Sequence, residues 1–174
     1  NRRLQALLKE IKDYGKGKKY DCIMGLSGGV DSSYLAILAH RYGLRPLVVH
    51  VDAGWNFYLA VKNIEEIVKR LNFELMTIVI NWEDMRDLQN SFLRAAVPNQ
   101  DIPQDHALFT ALYKTDVDNG IKYVLTGSNY SSESVLPSAW GHTASDTKHI
   151  KYIHRTFGKG RLRSYPLMSF LKLQ

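Results

Sequence analysis

The run Ser27-Gly28-Gly29-Val30-Asp31-Ser32-Ser33 places three hydroxyls, two glycines and one carboxylate within seven residues. A glycine-rich turn that opens a helix presents backbone N–H groups outward, and the helix N-terminus adds a partial positive charge, so the arrangement suits an anion. Gly28 and Gly29 let backbone approach phosphates, Ser27, Ser32 and Ser33 offer hydroxyl donors, and Asp31 can hold a magnesium ion between phosphate oxygens. A capped turn with no ligand would use the same residue types, because Asp and Ser are preferred caps and Gly is preferred in turns. Neither G-x-x-x-x-G-K-[ST] nor G-x-G-x-x-G is present, so this would be a different phosphate loop from those two.

Gly25-Leu26-Ser27-Gly28-Gly29 also fits G-x-S-x-G, the nucleophile elbow of α/β-hydrolases, with His106 or His142 available as base. That reading gives no role to Asp31, Ser32 or Ser33. Further candidates stand at Val51, Asp52, Trp55 and Asn56, at Asp105 and His106, and at Gly127, Asn129 and Glu133. Several have bland alternatives. Trp55 suits a core or a substrate wall equally, Asp105 reads more readily as a helix N-cap than as a ligand, His106 is as readily a surface residue, and Glu133 a solvated loop carboxylate. Lys159, Arg161 and Arg163 read first as a solvated basic face and second as a diphosphate clamp.

To meet in one place, these residues need a scaffold that carries them to the same end. The apolar run of residues 22–26 reads as a strand before the loop, with Leu35, Leu38, Ala39 and Tyr42 at helical spacing after it. Residues 47–51 make a second strand, followed by a helix marked by Ala60, Ile64, Ile67, Val68 and Leu71, and residues 75–80 make a third. Helical patterning over residues 85–96 breaks at Pro98 and Pro103 and restarts at Asp105, with Leu108, Ala111, Leu112 and Thr115 on one face; residues 123–126 form the fourth strand. Leu4, Leu7, Leu8 and Ile11 mark an amphipathic helix ahead of them all. Strands alternating with helices predict an α/β fold, a Rossmann-like parallel sheet with helices on both faces. Ligands of such sheets bind outside the carboxyl ends of the strands. Residues 27–33, 52–56 and 127–133 follow the first, second and fourth strands, which predicts one shared pocket; residues 131–145 are polar and expected to be mobile.

The chain has 174 residues, 45% of them hydrophobic and 23% charged, a globular balance with no apolar run near the roughly 20 residues of a membrane span. Its net charge of +6 suits an anionic partner without choosing which. The single cysteine, Cys22, excludes an internal disulfide framework and any multi-cysteine metal site within these residues, and fits a reducing cytoplasm. The sequence lacks an initiating Met and stops in an apolar pattern still under way, as expected of a fragment: residues 1–19 a helix and linker, residues 20–174 one domain whose C-terminal part continues.

Ser27-Gly28-Gly29-Val30-Asp31-Ser32-Ser33 after a first strand resembles the SGGxDS signature of the PP-loop ATP pyrophosphatases. The resemblance implies cleavage of ATP between its α and β phosphates, activation of a carbonyl oxygen as the adenylate, and displacement of AMP by a nucleophile. It implies catalytic parts for Asp31, Ser32 and His106, and ATP contacts for residues 27–33, Val51, Asp52 and Gly127. Gly127-Ser128-Asn129-Tyr130-Ser131-Ser132-Glu133 resembles the second motif of ammonia-using members such as NAD synthetase. That makes Glu133 a second magnesium ligand beside Asp31, and Trp55, Asn56, Asp105, His106 and Asn129 substrate contacts.

Within the superfamily, Val49-His50-Val51-Asp52-Ala53-Gly54-Trp55-Asn56, Ala60-Val61-Lys62-Asn63-Ile64, and residues 100–106 and 124–129 resemble the N-acetyl sugar amidotransferases of lipopolysaccharide and O-antigen synthesis. These imply a nucleotide-linked N-acetyl sugar as substrate and its acetamidino derivative as product. Ammonia would come from a separate glutaminase with a barrel-type partner, and zinc would belong only to a cysteine-rich segment outside these residues. Nucleic acid is disfavoured as a partner and a homo-oligomer stays open. The rival readings are a tRNA-modifying PP-loop enzyme and an adenine nucleotide sensor. A sulfur-transfer enzyme is disfavoured by the lone Cys22.

Overall fold

The computed structural model describes residues 2–128 and 143–168. Four strands, β1 (Cys22–Gly25), β2 (Pro46–Asp52), β3 (Glu74–Val79) and β4 (Val124–Leu125), form one parallel sheet in the order β3-β2-β1-β4. The register pairs Cys22 with Pro46, Leu47 with Glu74 and Ile23 with Val124. The first three strands progress toward one edge, and β4 then joins on the other side of β1. The order therefore reverses between β1 and β4, and that reversal opens a crevice at their carboxyl ends.

Alternation of side chains along each strand divides the core in two. Met24 and Val48 point to one face, where α2 (Val30–Arg41) and α3 (Tyr58–Leu71) cover them through Ala36 and Ile64. Cys22 points the same way and meets Leu8 and Ile11 of α1 (Arg2–Tyr14). Ile23, Leu47 and Val49 point to the other face, against Leu112 of α5 (Ile102–Asp118). Beyond the strand ends, Ala53 and Ile80 belong to a third cluster with Met85, Leu88 and Phe92 of α4 (Trp82–Ala95) and Ile150 and Ile153 of α6 (Thr147–Phe157). The doubly covered parallel sheet agrees with the α/β, Rossmann-like class expected from the strand and helix pattern. No helix among the described residues is long and apolar enough to cross a membrane.

One boundary differs from the sequence expectation. α5 begins at Ile102 rather than Asp105, with Pro103 inside its first turn and Asp101 at the cap position. Proline is tolerated there because the first-turn N–H groups have no intrahelical partner to lose. Asp105 is therefore not the N-cap; its own N–H already bonds the Asp101 carbonyl at 2.9 Å.

At the amino ends of the strands, buried Asp21 accepts the Arg45 backbone N–H at 2.9 Å and pairs with the Arg45 guanidinium, which also donates to the Gly15 and Lys18 carbonyls. This clasp ties the end of α1 to the sheet. A Cβ at Gly15 would lie 1.9 Å from the Asp21 carboxylate, so only glycine fits that corner.

Candidate functional site

Residues 27–33 form the turn between β1 and α2, at the edge of the β1/β4 crevice. Gly28 holds φ +76° beside α3, where a Cβ would come within 2.2 Å of the Ala60 carbonyl oxygen. A larger residue would meet both the left-handed backbone penalty and that wall. Asn63 of α3 donates to the Gly28 carbonyl at 3.2 Å, so the loop is braced from behind. Inside it, the Ser27 and Ser32 hydroxyls lie 3.0 Å apart, the Ser33 hydroxyl donates to the Gly29 carbonyl at 2.6 Å, and the Gly29 N–H reaches Ser27 Oγ at 3.4 Å. Buried His50 of β2 donates from Nδ1 to the Leu26 carbonyl at 3.2 Å, fixing the peptide that enters the turn. His50 was not among the sequence candidates; a histidine in an apolar strand was its only signal.

Asp31 stands exposed in the first turn of α2, and no ion pair engages it among the described residues. No cluster of three or more metal-ligating side chains occurs among those residues. A single carboxylate beside hydroxyls, at a turn whose N–H groups suit phosphate, fits magnesium, which takes one or two carboxylates and fills its octahedron with phosphate oxygens and water. Glu133 and Asn129 lie outside the described residues, as do His142 and most of the segment expected to be mobile.

Gly127 comes from the far side of the crevice. A Cβ there would sit 3.1 Å from Asp31 C and Ser32 N and 3.2 Å from Ser32 Cα, so the segment after β4 packs directly on the first turn of α2. The structure thus brings residues 27–33 and Gly127 together as expected.

The turn after β2 is built separately. Asp52 Oδ1 accepts the Gly54 N–H at 2.9 Å, and Gly54 at φ +87° lies under Trp82, whose ring a Cβ would approach to 2.3 Å. Trp55 meets Trp82 edge to face, ring centroids 4.7 Å apart, and stays 49% exposed, which rules out the core reading for it. Asn56 is exposed. Val51 packs with Ile78 between two core clusters.

His106 is not a surface residue: it is 2% exposed. The Met168 N–H donates to its Nε2 at 3.2 Å, which leaves Nδ1–H to donate to the Ala144 carbonyl at 2.6 Å, and its ring stacks on Tyr165. Burial, partly offset by its backbone partners, lowers its pKa. Both nitrogens are occupied, so in this arrangement His106 joins residues 144 and 168 to α5 and has no ring nitrogen left to serve Ser27. A cavity of about 300 Å³ lies beside it, between Phe109, Thr110 and Tyr113 of α5 and residues 143–145. The half-buried Asp105 carboxyl has its pKa raised by burial and by Asp101. Among the described residues the positive φ falls on Gly28 and not on Ser27, so Ser27 does not occupy the strained position of a nucleophile elbow.

Cys22 lies at the amino end of β1, opposite the loop, and burial and the neighbouring Asp21 push its thiol up to about 12. It behaves as a core residue.

A glycine and hydroxyl turn at the switch point of a parallel sheet stands where α/β folds of this kind take their ligands. No family model matches the chain. It is 27% identical over 142 residues to an uncharacterized protein of Methanocaldococcus jannaschii, covering 81% of this chain and 46% of that one. It is 26% identical over 151 residues to the glutamine-hydrolyzing GMP synthase of Thermus thermophilus, covering 83% and 28%. Among solved structures, the glutamine-dependent NAD+ synthetase from Acinetobacter baumannii in complex with ADP shares the fold, with a TM-score of 0.60 at 18% identity over 97% of this chain and 34% of that one. The GMP synthase, the NAD+ synthetase and a tRNA(Ile)-lysidine synthase of Chlamydia pneumoniae, 35% identical over 77 residues covering 42% of this chain and 24% of that one, are PP-loop ATP pyrophosphatase family members. The chain spans less than half the length of the first two relatives.

Proposed function

We propose that this chain is the nucleotide-binding part of a PP-loop ATP pyrophosphatase, an ATP-dependent ligase that releases AMP and pyrophosphate. The observation that carries the reading is the braced turn of residues 27–33 at the β1/β4 crevice, closed by Gly127 from the opposite side. In this reading the N–H groups and hydroxyls of residues 27–33 hold the β and γ phosphates, where preorganised donors stabilise the charge that builds on departing pyrophosphate. Asp31, with Glu133, would hold magnesium, which neutralises phosphate charge when bound. Val51 and Asp52 line the adenosine side, and Trp55 and Asn56 stand beside the acceptor.

The acceptor is proposed to be a nucleotide-linked N-acetyl sugar of lipopolysaccharide or O-antigen synthesis. Its amide oxygen takes the adenylate, and ammonia supplied by a glutaminase partner replaces AMP to give the amidine. His106 enters this scheme by holding the wall of the acceptor side in place rather than by moving a proton.

The test is a product analysis with ATP, magnesium, ammonium and a UDP-linked N-acetyl sugar. AMP and pyrophosphate in equal amounts are expected, and ADP with phosphate would overturn the ligase reading. AMP formed only when tRNA is supplied would transfer the assignment to tRNA modification. ATP bound tightly with no AMP released for any acceptor would make the chain a sensor.

A further inference from the structure

A groove with several basic side chains lies outside the turn of residues 27–33. Between α4 and residues 159–163 runs an open groove of about 550 Å³. Arg86, Arg94, Lys159, Arg161 and Arg163 line it, against the carboxylates of Glu83, Asp84 and Asp87.

Two of those carboxylates are already engaged. Asp84 is 6% exposed and its Oδ2 accepts the N–H groups of Arg163, Ser164 and Tyr165 at 2.9, 2.6 and 2.9 Å. Asp87 accepts the N–H groups of Lys159 at 3.1 Å and Gly160 at 3.0 Å, and it pairs with His154 at 3.0 Å. Burial works to raise both carboxyl pKa values, but these donors outweigh it and hold them below the ordinary range. Two aspartates one helical turn apart thus fix a whole backbone segment through its N–H groups.

The segment they fix carries a basic residue at every second position, 159, 161 and 163, and all three side chains line the same groove. Arg94 is steadied at the far wall by its bond to the Phe157 carbonyl at 2.8 Å. Among the described residues, no carboxylate forms an ion pair with Arg86, Lys159, Arg161 or Arg163. Five cationic side chains against three carboxylates leave the groove positive, which favours entry of an anion. The groove includes Asn81 and Glu83, and Trp82, between them in sequence, meets Trp55 edge to face with both rings partly exposed.

We propose that this groove is a binding site for a diphosphate group, separate from the turn of residues 27–33. Bidentate guanidinium contacts from Arg86, Arg161 and Arg163 take the phosphate oxygens, and Lys159 adds a point charge. The inference rests on the groove alone and does not depend on how residues 27–33 are read.

The test is calorimetric titration with inorganic pyrophosphate and, separately, with UDP, on the parent chain and its variants. One groove site per chain is expected. Its affinity should fall roughly tenfold or more in Arg161→Ala/Arg163→Ala, whose lost side chains are exposed while the Arg163 N–H bond to Asp84 remains, and in Arg86→Ala. Ser32→Ala should leave it unchanged. Tighter binding of UDP than pyrophosphate would identify a nucleoside diphosphate as the source and engage the Trp55 and Trp82 pair; equal binding would identify the free anion. A loss of pyrophosphate affinity in Ser32→Ala as large as in the arginine variants, or no change in the arginine variants, would overturn the proposal. So would a single-stranded oligonucleotide that binds more tightly than either probe with a steep salt dependence, which would make the groove a nucleic-acid surface.

Discussion

Replacing Gly127 by alanine perturbs the contact between the two sides of the crevice with a single methyl group. The new Cβ would meet Asp31 C and Ser32 N at 3.1 Å, where carbon contacts are optimal at about 3.5–4.0 Å, so something must give by roughly 0.4 Å or more. The neighbours are backbone at the start of α2 and cannot rotate away. Overpacking of this kind costs about 1–3 kcal/mol, while the lost freedom of the unfolded chain returns about 0.4–1 kcal/mol. Gly127 is not at positive φ, so no backbone penalty is added. The net lowers unfolding free energy by up to about 2.6 kcal/mol, and the part of the overlap relieved by displacing residues 27–33 should weaken ATP by about 5- to 100-fold. Calorimetric ATP titration and urea unfolding on the same preparations separate the two. Gly120→Ala is the control, since Gly120 has φ +58° with nothing within 4 Å and lies away from the crevice. An unchanged ATP affinity in Gly127→Ala would refute the claim that the segment after β4 and the turn after β1 form one site.

Three further outcomes are expected. Asp31→Asn should reduce magnesium-dependent ATP turnover at least tenfold without lowering the melting temperature, because its carboxylate is exposed and forms no ion pair among the described residues; equal turnover would remove Asp31 from the site. Asp84→Ala leaves three backbone N–H groups unmatched at about 1–3 kcal/mol each where they stay buried, and urea unfolding should show a loss of at least about 2 kcal/mol. Because the Asp84 and Asp87 pKa values are depressed, the stability they contribute is present above the ordinary 3.8 and lost as pH falls through the lower folded values; acid unfolding should therefore begin earlier in pH for variants of either. His106→Leu removes one donor and one acceptor of backbone groups, costing about 1–3 kcal/mol. The depressed His106 pKa means its contribution is present above the ordinary 6.5 and lost on acidification, so thermal unfolding between pH 7 and 5 should be flatter in the variant than in the parent.

The sheet was legible because each strand is a short apolar run and each early helix repeats its apolar positions at helical spacing. The turn of residues 27–33 was legible because its glycines, serines and aspartate lie within seven residues of one another. What escaped was held by partners far along the chain. Asp84 sits within the buried face of α4 beside Met85 and Leu88, yet its donors lie 79 to 81 residues later. A carboxylate within an apolar stripe signals that a partner is needed without naming it. Pro103 misled for a local reason, since a proline ends a helix from within but is harmless in its first turn, and periodicity does not distinguish the two. The burial of His106 follows from Ala144 and Met168 closing over α5, which no pattern within residues 101–118 encodes.

The Asn63 bond and the Ala60 wall behind Gly28 bear on kinetics as well as on shape. A loop already set against α3 has little ordering left to do when phosphates arrive, so nucleotide capture should be limited by encounter rather than by a slow closing step. Stopped-flow traces of ATP binding should then be single-phase, with a rate that rises in proportion to nucleotide concentration. Asn63→Ala should introduce a plateau as loop ordering becomes the slower event.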